Sequence, residues 1–133
     1  MNVFDAIEQR RAVKVFDKNH KMSDDELKKL MEAARMAPTA FNIQHWRYVC
    51  VRDPAIKEKI RAHAWDQAQV TDCSTLVILT GDKKAWAKDP ARYWASASQE
   101  ARDFLLPAIE NYYMGKPQVE RDEVMRSGGI AAQ

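Results

Sequence analysis

The chain has 133 residues, of which 21 are basic and 19 acidic, and its formal net charge of +2 gives no field that would select nucleic acid or a membrane surface. A chain of this length is expected to form one domain, burying roughly two-thirds of its unfolded surface if it folds alone. No apolar run reaches the roughly 18 to 20 residues of a membrane span, and an N-terminus with Asp5 and Glu8 lacks a basic-then-apolar leader pattern, so a cytoplasmic protein is expected.

Val3, Phe4 and Ile7 recur at helical spacing and predict a short helix over residues 3–11 that ends in Arg10 and Arg11. Val13 and Val15 then alternate with Lys14 and Phe16, so the chain becomes extended. Arg10, Arg11 and Lys14 stand at this helix-to-extended junction, close enough in sequence to converge on one anion. The plainer reading is a solvated helix end favoured by the dipole. After a turn at Asp17-Lys18-Asn19-His20, Ser23 and Glu26 make a capping box, and Leu27, Leu30, Met31 and Ala34 form an apolar stripe on a helix over 24–37.

Pro38 cannot continue that helix and biases Ala37 away from the α region, which forces a tight corner through Thr39, Ala40, Phe41 and Asn42. The corner presents the amides of Asn42 and Gln44 beside an aromatic. Amides both donate and accept, which suits a heterocycle that does the same. A strand is predicted over 46–52, then a helix capped by Asp53 and Pro54 and running to about Ala64. Residues 65–71 read as polar and irregular, and Thr75–Thr80 as a strand buried on both faces. Cys50 and Cys73 fall in or beside these strands and read as two reduced, buried thiols. Asp89-Pro90 starts a helix expected to reach Leu105, to be interrupted at Pro107, and to resume to Tyr112-Tyr113 with Gly115 as its stop. Residues 118–127 read as a charged helix, and Gly128 to Gln133 as the start of a small-residue one.

Two of these stretches resemble signatures of the nitroreductase family. The run from Pro38 to Val51, P-T-A-F-N-I-Q-H-W-R-Y-V-C-V, is similar to the family segment P-S-x-x-N-x-Q-P-W-x-F-x-V, and Arg10 to Asp17, R-R-A-V-K-V-F-D, is similar to R-R-S-x-R/K-x-F-D. Two positions depart from the pattern. His45 stands where proline is usual, and Ala12 where serine is usual, which removes one hydroxyl contact to a cofactor. The resemblance implies an α+β, nitroreductase-like domain over 1–133, with a central mixed sheet flanked by helices. It covers the whole chain but only about the first two-thirds of a typical member, so the C-terminal part of the fold, a final helix and strands, is expected to be missing.

The residues themselves offer no catalytic triad, phosphate-binding glycine loop or zinc-spaced ligand set; His20, His45 and His63 lie in different elements, and no metal is expected. An absence of acid–base machinery suits a reaction carried by a cofactor. The resemblance implies that this is FMN, bound between the subunits of a homodimer. Arg10 and Arg11 would meet its phosphate and ribityl chain, Ala12 would contribute backbone only, and Lys14 would approach the pyrimidine side of the ring. Pro38, Thr39, Ala40 and Asn42 of the second subunit would border the other edge, with Gln44 and Trp46 holding the corner. Gln67, with Gln69 as the other candidate, would set a polar side chain against the flavin. The implied activity is that of a flavoprotein oxidoreductase: NAD(P)H, as NADH or NADPH, delivers hydride and leaves, and a nitroaromatic, quinone or similar small aromatic acceptor is then reduced, in ping-pong order. Tyr112 or Tyr113 would line the acceptor pocket, although the plainer reading of either is core packing.

Two other readings compete: a truncated, flavin-free relative acting as a structural or interaction module, and a thiol-based redox or ligand-binding protein using Cys50 or Cys73. The apolar stripe on helix 24–37, the aromatic helices and the Gly-Ala segment offer more apolar surface than so short a chain can cover, which also points to a partner subunit.

Overall fold

The computed structural model describes residues 2–132; Gln133, assigned to the small-residue helix, lies outside them. The class is α+β, as expected. Helices α1 (Val3–Gln9), α2 (Asp24–Ala34), α3 (Pro54–His63), α4 (Gln69–Asp72), α5 (Gln99–Met114) and α6 (Gln118–Ala131) accompany two paired strands, β1 (Trp46–Val51) and β2 (Leu76–Gly81), with 3-10 turns at 40–42, 85–87 and 90–94. Of the mixed sheet that the resemblance implies, the described residues hold this antiparallel pair. Its register is set by the Asp82 N–H donating to the His45 carbonyl at 2.8 Å and the Thr80 hydroxyl donating to the Arg47 carbonyl at 3.3 Å. The chain packs as two compact units, one formed by the residues up to Met22 together with Cys50–Leu76, the other by Ser23–Val49 together with the residues from Val77 onward. No helix among the described residues is long and apolar enough to cross a membrane.

In the first unit Asn2 caps α1 and exchanges hydrogen bonds with Asp5. Asp53 accepts from the Ile56 N–H, and Pro54 supplies a preset φ where no intrahelical donor is needed, so α3 starts where the sequence places it. Lys57 is buried, and its ammonium donates to the carbonyls of Thr71 at 3.1 Å and Cys73 at 2.6 Å. A cation there answers the orphan carbonyls at the end of α4, the arrangement that the helix dipole favours. Ser74 Oγ accepts from the Met22 N–H at 2.6 Å and ties the extended segment to the entry of β2.

The second unit holds the larger core. Ile43, Ala85, Ile109, Tyr113 and Met125 are buried together, with Phe41, Trp86, Trp94, Leu106 and Val124 packed around them. Trp86 stacks on Tyr113 at 5.5 Å between ring centres, and Tyr112 meets Tyr113 edge-on at 5.1 Å. Burial, with Tyr112 beside it, pushes the Tyr113 phenol up to about 12. The unfolded phenol ionises near its ordinary value of about 10, so the unfolded chain sheds this proton first as the pH rises. The stability that Tyr113 contributes is therefore complete below about pH 10 and is lost toward about pH 12. We expect the melting temperature to fall across that window and Tyr113→Phe to flatten the fall; an identical decline in the variant would contradict this assignment.

Four expectations are corrected. The predicted helix over 24–37 stops at Ala34, because Pro38 disfavours α geometry at Ala37 and the last turn tightens, with Met36 and Ala37 donating to Ala33 and Ala34. The helix from Pro90 does not run to Pro107. It breaks after the 3-10 turn at Trp94, Ser98 caps a new start by accepting from Ala101, and α5 then continues through Pro107 to Met114. β2 is half-buried along Leu76–Leu79, not buried on both faces, because the described elements do not fully cover the side chains that it projects to its two faces. Cys50, on β1, is exposed and Cys73, the C-cap of α4, only partly covered, where two buried thiols were expected; both are free.

Candidate functional site

The chain's least ordinary backbone lies between α2 and β1. Phe41 and Asn42 (φ 54° each) and Gln44 (φ 48°) all adopt the left-handed region without being glycine. Each such residue costs roughly 1–3 kcal/mol and persists only where its surroundings over-determine it. Here they do. Asn42 N–H donates to the Thr39 carbonyl at 3.0 Å, Gln44 N–H donates to Thr39 Oγ1 at 3.0 Å, and the Gln44 amide donates to the Asn42 carboxamide oxygen at 3.0 Å. Between these polar ties Ile43 is fully buried in the core of the second unit, and Phe41 packs edge-on against Tyr112 at 5.3 Å. His45 and Trp46, both buried, then anchor the start of β1.

The result is a corner whose core-facing residues alternate with presented ones. Pro38, Ala40 and Asn42 are exposed and Thr39 half-exposed. The Asn42 carboxamide oxygen is taken by Gln44, which leaves its N–H groups with no partner among the described residues, ready to donate. Trp46 is turned into the unit and Gln44 is spent on the corner itself.

The cations belong to the first unit. Arg10, Arg11, Ala12 and Lys14 follow α1 on an exposed segment without helix or strand. Arg11 donates to the carbonyls of Glu8 at 2.7 Å and Arg10 at 2.8 Å and so closes the end of its own helix. Arg10 and Lys14 have no ion pair or side-chain hydrogen bond among the described residues. Val13 and Val15 beside them are 60% and 86% exposed, an unusual fate for β-branched side chains in an extended segment. Gln67 lies in the same unit, half-buried, and its carboxamide oxygen accepts from Gln69 at 2.7 Å. It follows a second left-handed pair, Trp65 and Asp66, braced by the Arg61–Asp66 ion pair at 2.7 Å.

The expected site residues thus form two groups: Pro38 to Asn42 make one corner, and Arg10 to Lys14, with Gln67, belong to the other unit. No group of three or more metal-ligating side chains exists among the described residues. The sequence did not mark Phe41 as an anchor, and it offered Gly128 only as part of a small-residue helix. His45 stood out there as a departure from a pattern and as one of three histidines unsuited to a metal site, and the departure was the available signal.

The α+β scaffold thus carries a strained, amide-presenting corner in one unit and an exposed run of cations in the other. The family model that matches residues 7–133 is that of the nitroreductase family, and the chain belongs to it. It is 51% identical to Protein DrgA of Synechocystis over 100% of this chain and 63% of that protein. It is 32% identical to the provisionally named NAD(P)H nitroreductase YodC of Bacillus subtilis, over 98% of this chain and 67% of that one. Its fold matches a crystal structure of a provisionally assigned nitroreductase from Exiguobacterium sibiricum in complex with FMN, with a TM-score of 0.86 and 25% identity over 99% of this chain and 66% of that one. The chain therefore spans under two-thirds of the length of DrgA.

Proposed function

We propose that this chain carries the FMN-binding part of an NAD(P)H-dependent oxidoreductase of nitroreductase type. The observation that carries this reading is the corner at Thr39–Gln44, where three strained residues are held by buried neighbours so that amide donors face outward. The donor set fits the cofactor: guanidinium and ammonium groups suit a phosphate and an anionic ring edge, and carboxamides suit a pyrimidine that donates and accepts. When bound, FMN would supply electron transfer between NADH or NADPH and an acceptor such as a nitroaromatic or quinone.

Arg10 would bind the phosphate, with Arg11 adding the guanidinium nitrogens not spent on its helix end and Ala12 only backbone. Lys14 would place positive charge at the pyrimidine edge. Pro38, Thr39, Ala40 and Asn42, from a second copy of the chain, would border the ring, and Gln67 would offer its carboxamide N–H. The exposed apolar side chains of α1, Val3, Phe4 and Ile7, support a homodimer, since such a face is expensive to leave in water. The match of one family model across both compact units supports their reading as one nitroreductase-like domain.

Titrating the purified chain with FMN, followed by flavin absorbance and fluorescence, tests the proposal. Saturable one-to-one uptake per protomer is expected. A chain that takes up no FMN would favour the reading of a flavin-free structural or interaction module. For a chain that does bind, Lys14→Met should lower the flavin potential and slow its reduction by NAD(P)H while leaving the melting temperature unchanged, because a cation that stabilises charge developing on the ring has been removed. Unaltered reduction kinetics would contradict the role given to Lys14.

A further inference from the structure

His45 is a histidine with almost no access to water, 2% exposed, at the exit of the strained corner. Its backbone is held in the strand pair, its carbonyl accepting from Asp82. Its ring reaches across to α6, where Nε2 lies 2.6 Å from the Met125 carbonyl oxygen; with the proton on Nε2, the ring donates to it. One turn further along α6, Gly128 is buried directly against the same ring. A Cβ placed on Gly128 would collide with His45 Cε1, and would lie 3.0 Å from Nε2 and 3.4 Å from Thr39 Cγ2. The space that a side chain on Gly128 would fill is therefore bounded by both ends of the corner: Thr39, whose hydroxyl and carbonyl receive the corner's hydrogen bonds, and His45, where the corner ends. Glycine in mid-helix is unfavourable by itself, so its presence there has a packing reason.

We propose that His45 is a positioning residue: its imidazole, docked on the bare backbone of Gly128 and bonded to Met125, clamps the Thr39–Gln44 corner to α6 in the conformation that presents Asn42. The proposal rests on the FMN reading for its functional meaning, while the clamp itself is a property of the unliganded chain. It makes His45 and Gly128 a matched pair, the ring filling the space that the glycine leaves. The amide donors of the corner are presented at fixed positions because α6 holds the exit of a strained loop whose entry is tied back by Thr39, so cofactor binding need not order them.

The test uses hydrogen exchange at the Asn42 and Gln44 backbone amides of the unliganded chain, together with FMN affinity. His45→Phe keeps the bulk of the ring but not the donor, and His45→Gln keeps a donor of similar reach. Losing one net hydrogen bond should speed exchange at those amides roughly five- to tenfold in His45→Phe, and His45→Gln should restore most of the protection. Val51→Ala, a change at a buried position of the other compact unit, provides a control for general destabilisation and should leave the two amides protected relative to the rest of their own unit. FMN affinity should follow corner protection across these variants and not melting temperature.

Should His45→Phe fail to fold, Gly128→Ala and the double change Gly128→Ala with His45→Ala report on the same clamp. The single change should loosen the corner, and the double should recover folding relative to it because the clash is gone. Unchanged amide protection in His45→Phe, or a double variant no better than Gly128→Ala, would overturn the clamp. Protection that changes as described in a chain that binds no FMN would leave the clamp standing and refute the cofactor reading alone.

Discussion

Replacing Ile43 by alanine is expected to lower the stability of the chain by about 2–5 kcal/mol, the range for truncating a fully buried aliphatic side chain. Ile43 is 0% exposed and belongs to the same buried cluster as Ile109, Tyr113 and Met125. A loss of that size is a large fraction of the roughly 5–15 kcal/mol by which domains are stable. The site adds a second consequence. Ile43 sits between left-handed Asn42 and left-handed Gln44, so its burial opposes the backbone strain on both sides. Urea denaturation should show a lowered midpoint, and FMN binding to the remaining folded protein should weaken as well. A stability loss below about 1 kcal/mol would mean that the corner is held without Ile43.

Arg10→Ala should weaken FMN binding by about 1.5–3 kcal/mol, the scale of a hydrogen bond to a charged group. This corresponds to roughly ten- to 150-fold in the dissociation constant, with the larger effect at low salt where exposed charges are least screened. The comparison with Arg11→Ala sharpens the test. Arg11 already donates to the carbonyls of Glu8 and Arg10, so its removal should cost less affinity and more of the end of α1. Titrations of both variants at two ionic strengths decide between the roles. If Arg10→Ala left the affinity unmoved, the phosphate assignment would be wrong; if Arg11→Ala cost more than Arg10→Ala, their roles would be exchanged.

The division of labour between the two arginines shows why the cation cluster was ambiguous as sequence. The helix-end reading holds for Arg11, and the proposed anion role is left to its neighbour Arg10. Which guanidinium turns back on the helix depends on where α1 stops, at Gln9, and residue types alone carry no such information.

Local chemistry by itself determined much of this protein. Ser23 with Glu26 and Asp53 with Pro54 specify helix starts, because the groups that satisfy the orphan N–H donors are only a few residues away. Pro38 ends α2 through a clash with its immediate neighbour, and the two signature runs identify the family. Tertiary structure decided the rest. Continuous helical periodicity concealed the break before Ser98, and nothing within the sequence window of Pro107 announced that α5 would pass through it. The exposure of Cys50 depends on what packs over its face of β1, which a strand's own residues do not state. The clamp of His45 on Gly128 joins positions 80 or more residues apart along the chain. Short-range hydrogen bonds and steric rules act over a few residues and are legible in order, whereas burial and ring-on-backbone packing depend on what the fold brings alongside.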